Sequence, residues 1–96
     1  MKVRYLLPAS LELFKHVDFY ESQAPRLGED FLEEVEYALE LLSSYPKLGA
    51  PHLEGTRRMV LNRFPVDLVY LLEDDVIVVM ALASHHKAPG YWRNRT

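Results

Sequence analysis

From Val76 to Ala83 the chain reads VIVVMALA, eight consecutive apolar residues between Glu73-Asp74-Asp75 and Ser84-His85-His86. The run is rich in β-branched side chains and bounded by polar turn residues, so it reads as a strand. A strand with one wet face alternates apolar and polar residues, whereas one that is apolar throughout needs cover on both faces. The fold must therefore shield Val76, Val78, Met80 and Leu82 on one side and Ile77, Val79 and Ala81 on the other.

The rest of the sequence supplies one helical layer for this task. KVRYLL is β-prone and precedes Pro8, which predicts a first strand over residues 2–7. From Ser10, a candidate N-cap, Leu13, Phe14, Val17, Tyr20 and Ala24 recur at three- and four-residue spacing, predicting a helix with these on one face and Pro25 at its end. Leu27, Phe31, Val35, Ala38, Leu39 and Leu42 repeat the pattern up to SSYP. Glu29, Asp30, Glu33, Glu34, Glu36 and Glu40 fill the opposite side of this second helix, a solvated acidic face rather than a metal site.

After the loop KLGAPHLEG come RRMVLNRF, VDLVYLL and DVIVVMALA, three strands spaced as an antiparallel meander. The order β-α-α-β-β-β predicts an α+β domain over residues 1–96, a helical hairpin packed on one face of a four-stranded, mostly antiparallel twisted sheet. The hairpin covers one face of the last strand. Only the short tail ALASHHKAPGYWRNRT remains for the other, and its area is limited. The apolar surface left over predicts a docking face for another protein chain.

Composition narrows the setting. With 49% apolar and 26% charged residues the chain has an ordinary globular balance. It has no cysteine, which suits a reducing compartment, and no apolar run of membrane-spanning length, so we expect cytoplasmic residence and no membrane partner. The net charge of −3 argues against a general nucleic-acid binder. Positive charge is nevertheless segregated: Arg57, Arg58, Arg63, Lys87, Arg93 and Arg95 all fall in residues 55–66 and 76–96, where there is no acid.

The tail therefore reads as both anchor and working surface. Trp92, with its large apolar face, is expected to pin the tail to the sheet, leaving Tyr91, Lys87 and the arginines outward. Arg57, Arg58 and Arg63 are candidate target contacts, with edge-blunting charge the competing reading. His85 and His86 are neighbours whose rings diverge on an extended segment, and His52 lies in a distant loop, so no metal and no other cofactor is expected.

The phrases LGEDFLEEVEYALELLSSYPKLG, EGTRRMVLNRFPVDLVYLLEDDVIVVMALA and KAPGYWRNR, in this order, resemble the RelE/ParE toxins of bacterial type II toxin-antitoxin systems, also called plasmid stabilisation proteins. The resemblance implies the fold deduced above and a growth-inhibiting toxin, neutralised by an antitoxin whose C-terminal segment wraps it in a hetero-oligomer. RelE-like members cleave mRNA on the ribosome, while ParE-like members poison DNA gyrase without a demonstrable nuclease site.

By that resemblance a cleaving site here would comprise Arg58, His85, Lys87 and Tyr91. The chain departs from the cleavers' pattern at Val60, where they carry a second basic residue, and at Asp67, where they carry an arginine that stabilises the transition state. A carboxylate there repels the phosphate it should hold. The expectation is thus a ParE-like, non-enzymatic toxin gripping gyrase through Arg57, Arg58, Arg63, Lys87, Tyr91, Arg93 and Arg95. The alternatives are a ribosome-dependent mRNA endonuclease and an attenuated relative that only binds its antitoxin.

Overall fold

The computed structural model describes residues 1–96 as an α+β unit. In chain order the elements are β1 (Lys2–Tyr5), α1 (Leu7–Gln23), α2 (Leu27–Ser44), β2 (Ala50–Pro51), β3 (Arg57–Val60), β4 (Val66–Glu73) and β5 (Val76–Ser84). Short 3-10 turns follow at Leu53–Gly55 and Arg93–Arg95. The sheet order is β1-β5-β4-β3-β2, with β1 parallel to β5 and every other pairing antiparallel. No helix is long and apolar enough to cross a membrane.

The apolar run is explained by its place. β5 is slotted between β1 and β4, and Ile77 to Leu82 are at most 2% exposed. The helical hairpin lies on one face, where Ala9, Leu13, Phe31, Val35, Ala38, Leu39 and Leu42 meet Val66, Leu68, Tyr70, Ile77, Val79 and Leu82. On the reverse face Val69, Met80, Ala81 and Ala83 pack against Trp92, itself 2% exposed. The tail thus covers the face that the sequence assigned to a protein partner, and the expected leftover patch is not there.

Strict alternation along β5 also fails. Val69 pairs with Ala81 but Tyr70 pairs with Val79, so Met80 is the extra residue of a β-bulge. Beyond the bulge the side-chain parity inverts, which sends Leu82 to the helices and Ala81 to the tail.

Other boundaries shift for local reasons. Helix α1 begins at Leu7, with Pro8 in its first turn and the Ser10 N–H already bonded to the Leu6 carbonyl, so Ser10 is not the cap. Proline suits a first turn because its missing N–H would have no partner there. Phe14 and Ala24, expected inside, are outside, Phe14 being 64% exposed; the buried face runs through Ala9, Leu13 and Val17 instead. The sheet has five strands rather than four because Ala50 and Pro51 pair with Arg58 and Arg57.

The segment RRMVLNRF stops being strand at Val60. Leu61 and Phe64 then turn into the core, where the Phe64 ring packs 4.6 Å from Tyr20 and 5.1 Å from Phe31. The Glu34 carboxylate on α2 accepts the Asn62 N–H where a further strand partner would sit.

At the α1–α2 corner the Glu21 carboxylate accepts the N–H groups of Arg26 and Gly28 at 3.0 and 3.1 Å. Only glycine fits at 28, since a Cβ would stand 2.6 Å from the Val17 carbonyl oxygen. The loop before β3 is tied by Tyr70, whose buried hydroxyl donates to the Pro46 carbonyl at 2.8 Å and accepts from the Gly49 N–H at 3.0 Å. Tyr70→Phe strands both backbone groups and should lower stability by about 1–3 kcal/mol in urea unfolding, a loss that an unchanged midpoint would contradict.

Candidate functional site

The C-terminal strap and the sheet enclose an open cleft of about 400 Å³ on the reverse face. Strand β3 contributes Arg58, β4 contributes Asp67, and the end of β5 with the strap contributes Ser84, His85, Lys87, Tyr91 and Trp92, while His52 enters from the loop after β2. The register explains the gathering. Arg58 pairs with Val69, Val60 with Asp67, and Asp67 with Ala83, so all of these positions share the face opposite the helices.

Asp67 organises the charge. Its carboxylate receives His85 Nε2 at 2.8 Å and faces Arg58 Nη1 at 3.6 Å, while its own side chain is only 13% exposed. The His52 ring lies 5.8 Å from the Trp92 indole. Burial first, and then the Arg58 charge, hold His52 below the ordinary histidine value against a smaller opposing pull from Asp67.

The strap is fastened from the other side by Glu12 on α1. Arg95 grips this carboxylate with both terminal nitrogens, at 2.8 and 2.9 Å, the Tyr91 hydroxyl donates to it, and the Leu82 N–H donates at 3.1 Å. Arg95 Nη1 also reaches the Met80 carbonyl at 3.1 Å. Burial alone would raise the Glu12 carboxyl, yet hydrogen bonds from Arg95 and Tyr91, the Arg95 charge and the Leu82 N–H together hold it below the usual carboxylate range. The Tyr91 phenol moves far above its ordinary value, through burial first and then its bond to Glu12 and that group's charge.

The candidate residues do not all gather at one place. Arg58, His85, Lys87 and Tyr91 are brought together around the cleft. Arg57 and Arg63 are not part of it: Arg57 donates to the Lys47 and Gly49 carbonyls, and Arg63 pairs with Asp30 of α2 at 3.4 Å, so both serve the helix side of the sheet. Tyr91 and Arg95 do not project outward as the tail's spacing suggested, because Glu12 holds both. Arg93 is exposed at the strap's end, and Lys87 stands with its amine 5.8 Å from the Tyr91 ring centre.

Within the cleft the Tyr91 phenol keeps its proton, and the Asp67 carboxylate is engaged by two basic side chains, Arg58 and His85. No group of three or more His, Asp or Glu side chains is placed to hold a metal ion. Glu12 is a site-forming residue that the sequence reading did not name, and His52, set aside there as lying in a distant loop, lines the cleft. A signal existed for Glu12, which sits beside Leu13 and His16 on the sheet-facing arc of α1.

A helical hairpin over a small, mostly antiparallel sheet, with a basic C-terminal strap closing the reverse face, defines a compact α+β toxin-like fold. Residues 3–89 match the family described as ParE toxin of type II toxin-antitoxin system, parDE, and the chain belongs to that family. No curated protein matches it. Among solved structures it is similar to a chain of the chromosomal ParDE TA system from P. aeruginosa, with 17% identity over 88% of this chain and 95% of that one and a TM-score of 0.75. At that identity the likeness speaks for the fold.

Proposed function

We propose that the chain is the growth-inhibiting partner of a type II toxin-antitoxin pair, acting in the cytoplasm by binding a protein target, DNA gyrase, and held in check by a cognate antitoxin. Family membership supports the toxin and its antitoxin partner. The observation that favours binding over RNA cleavage is Asp67, which occupies the middle of the cleft and engages both Arg58 and His85. A phosphate entering there meets a carboxylate and cations already committed to it. Lys87 and Arg93, exposed on the strap, are the cations left to grip an acidic protein surface.

Expression of the chain alone tests this. Filamentous cells with linearised plasmid DNA, and gyrase stalled on DNA in the purified system, are the expected result, with the effect lost in Lys87→Glu/Arg93→Glu. Abrupt translation arrest with mRNA cut at the ribosome would instead establish the endonuclease reading, and normal growth would leave only an antitoxin-binding role.

A further inference from the structure

Strand β3 leaves one gap in the hydrogen bonding along its outer edge. The Leu61 N–H bonds the Val66 carbonyl at 3.0 Å, so Leu61 and, by strand alternation, Met59 and Arg57 turn their backbone polar groups toward β4. Arg58, Val60 and Asn62 turn theirs the other way. Ala50 of β2 pairs with Arg58, and the Glu34 carboxylate takes the Asn62 N–H. The register of β2 would set Leu48 opposite Val60, but Leu48 lies outside the strand and its N–H bonds the Tyr45 carbonyl at 3.0 Å. The outward N–H and C=O of Val60 therefore have no strand beside them.

The surroundings of the gap are apolar. Between it and α2 lies a groove of about 210 Å³, lined by Tyr37, Ala38, Leu41, Met59, Val60 and Leu61. Tyr37 is 62% exposed and Val60 50%, and neither blunts the edge as a lysine or proline would. One helical turn to either side of Tyr37, Glu33 and Glu40 are exposed and enter no ion pair, while Arg63, past the end of β3, is already bound to Asp30. An open strand edge, an apolar groove and two free carboxylates together call for an extended chain with apolar and cationic side chains.

We infer that the edge of β3 at Val60 is a docking slot for an extended segment of a partner protein, which pairs its backbone with Val60, sets an apolar side chain in the groove and carries Lys or Arg toward Glu33 and Glu40. An extended segment fits better than a helix, because a helix spends its N–H and C=O groups internally and leaves those of Val60 unanswered. Side chains alternate along such a segment, so the residue opposite Val60 lies on the reverse side of the sheet and its two neighbours point toward α2. The Tyr37 ring offers the arriving cation a second contact. The inference stands apart from the gyrase reading, since it rests on the backbone of β3 and the side chains of α2 rather than on Lys87 and Arg93.

A β-prone peptide of valine, isoleucine and lysine, and its twin with glutamate for lysine, test it by fluorescence anisotropy at low salt. The lysine peptide should bind about tenfold or more tighter than the glutamate one, from attraction in one case and repulsion in the other at two exposed sites. Glu33→Lys/Glu40→Lys should reverse the preference. Methylating alternate backbone nitrogens, the odd ones in one copy of the lysine peptide and the even ones in another, should weaken one copy about tenfold or more and leave the other unchanged, since only one set of N–H groups faces β3. Val60→Pro removes the outward N–H without touching the ladder to β4 and should weaken the lysine peptide about threefold or more. All three substituted positions are exposed, and unchanged circular dichroism and melting guard against misfolding. The methylated peptides, read on the wild-type protein, decide the matter whatever the proline variant does.

Equal binding of the lysine and glutamate peptides, binding of neither, equal loss from both methylation patterns, or a preference that survives the charge reversal overturns the proposal. So does a wild-type dimer in sedimentation that Val60→Pro returns to monomer, because the edge then pairs with a second copy of this chain.

Discussion

Trp92→Ala is expected to lower folding stability by about 3–5 kcal/mol, the usual cost of emptying a buried aromatic site. For a chain of this size the melting point should fall by more than about 12 °C. The indole is 2% exposed and rests on Val69, Met80, Ala81 and Ala83, and the two alanines leave the room that a ring this large needs. Without it the strap loses its largest apolar contact and the reverse face of β4 and β5 opens to water. Since small domains hold about 5–15 kcal/mol in all, the variant should stand near the margin of folding and bind the dye ANS. Trp92→Phe, which keeps a ring in the site, should recover part of the loss; equal stability of wild type and Trp92→Ala would show that the strap does not seal the sheet.

The second large effect belongs to Glu12. Glu12→Gln keeps the size of the side chain but removes the charge that Arg95 grips and one of the two acceptor oxygens, Oε1 that takes the Leu82 N–H or Oε2 that takes the Tyr91 hydroxyl. Side chains of the pair are 17% and 18% exposed, so solvent screens the interaction only in part. A loss of about 2–4 kcal/mol follows at neutral pH.

The same carboxylate makes stability depend on pH in a definite sense. Its folded value lies below the ordinary 4.5. Glu12 therefore contributes fully above that unfolded value, and the contribution is lost as pH falls through the lower, folded one. The gap in stability between wild type and Glu12→Gln should be widest at neutral pH and close on acidification below about 4. A gap that is constant with pH would mean that the charge of Glu12 plays no part in the clasp.

Where sequence and structure agree, periodic burial is the reason. Helix α2 was legible because Leu27, Phe31, Val35, Ala38, Leu39 and Leu42 keep one phase while the acids keep the other, and the meander because its strands are bounded by Pro65 and by Glu73-Asp74-Asp75. The continuous apolar character of β5 correctly demanded cover on both faces. It could not reveal the bulge at Met80, which depends on the register with β4, nor the pairing of Ala50 and Pro51, which is too short to leave a pattern.

Phe14 misled because a residue at three- and four-residue spacing reads alike whether it faces the core or solvent. For the site, the late cluster of basic residues drew attention to the right segment, and two of its members, Arg58 and Lys87, line one cleft together with His85 and Tyr91. Their electrostatic partners were hidden. Glu12 and Arg95 are 83 positions apart, and Asp67 meets His85 across 18, so only the folded sheet brings opposite charges together. An arginine tail with no nearby acid looked free, although its counter-charge waited on the first helix.

Trp92 is the chain's single tryptophan, so its fluorescence reports on one place. If the strap closes over the reverse face and frames the cleft, the isolated chain at neutral pH emits at the blue end of the tryptophan range and iodide quenches it little, and Glu12→Gln shifts both toward the solvent-exposed values. Red emission with free access to iodide in the wild-type chain, unchanged by Glu12→Gln, would contradict the account at its base.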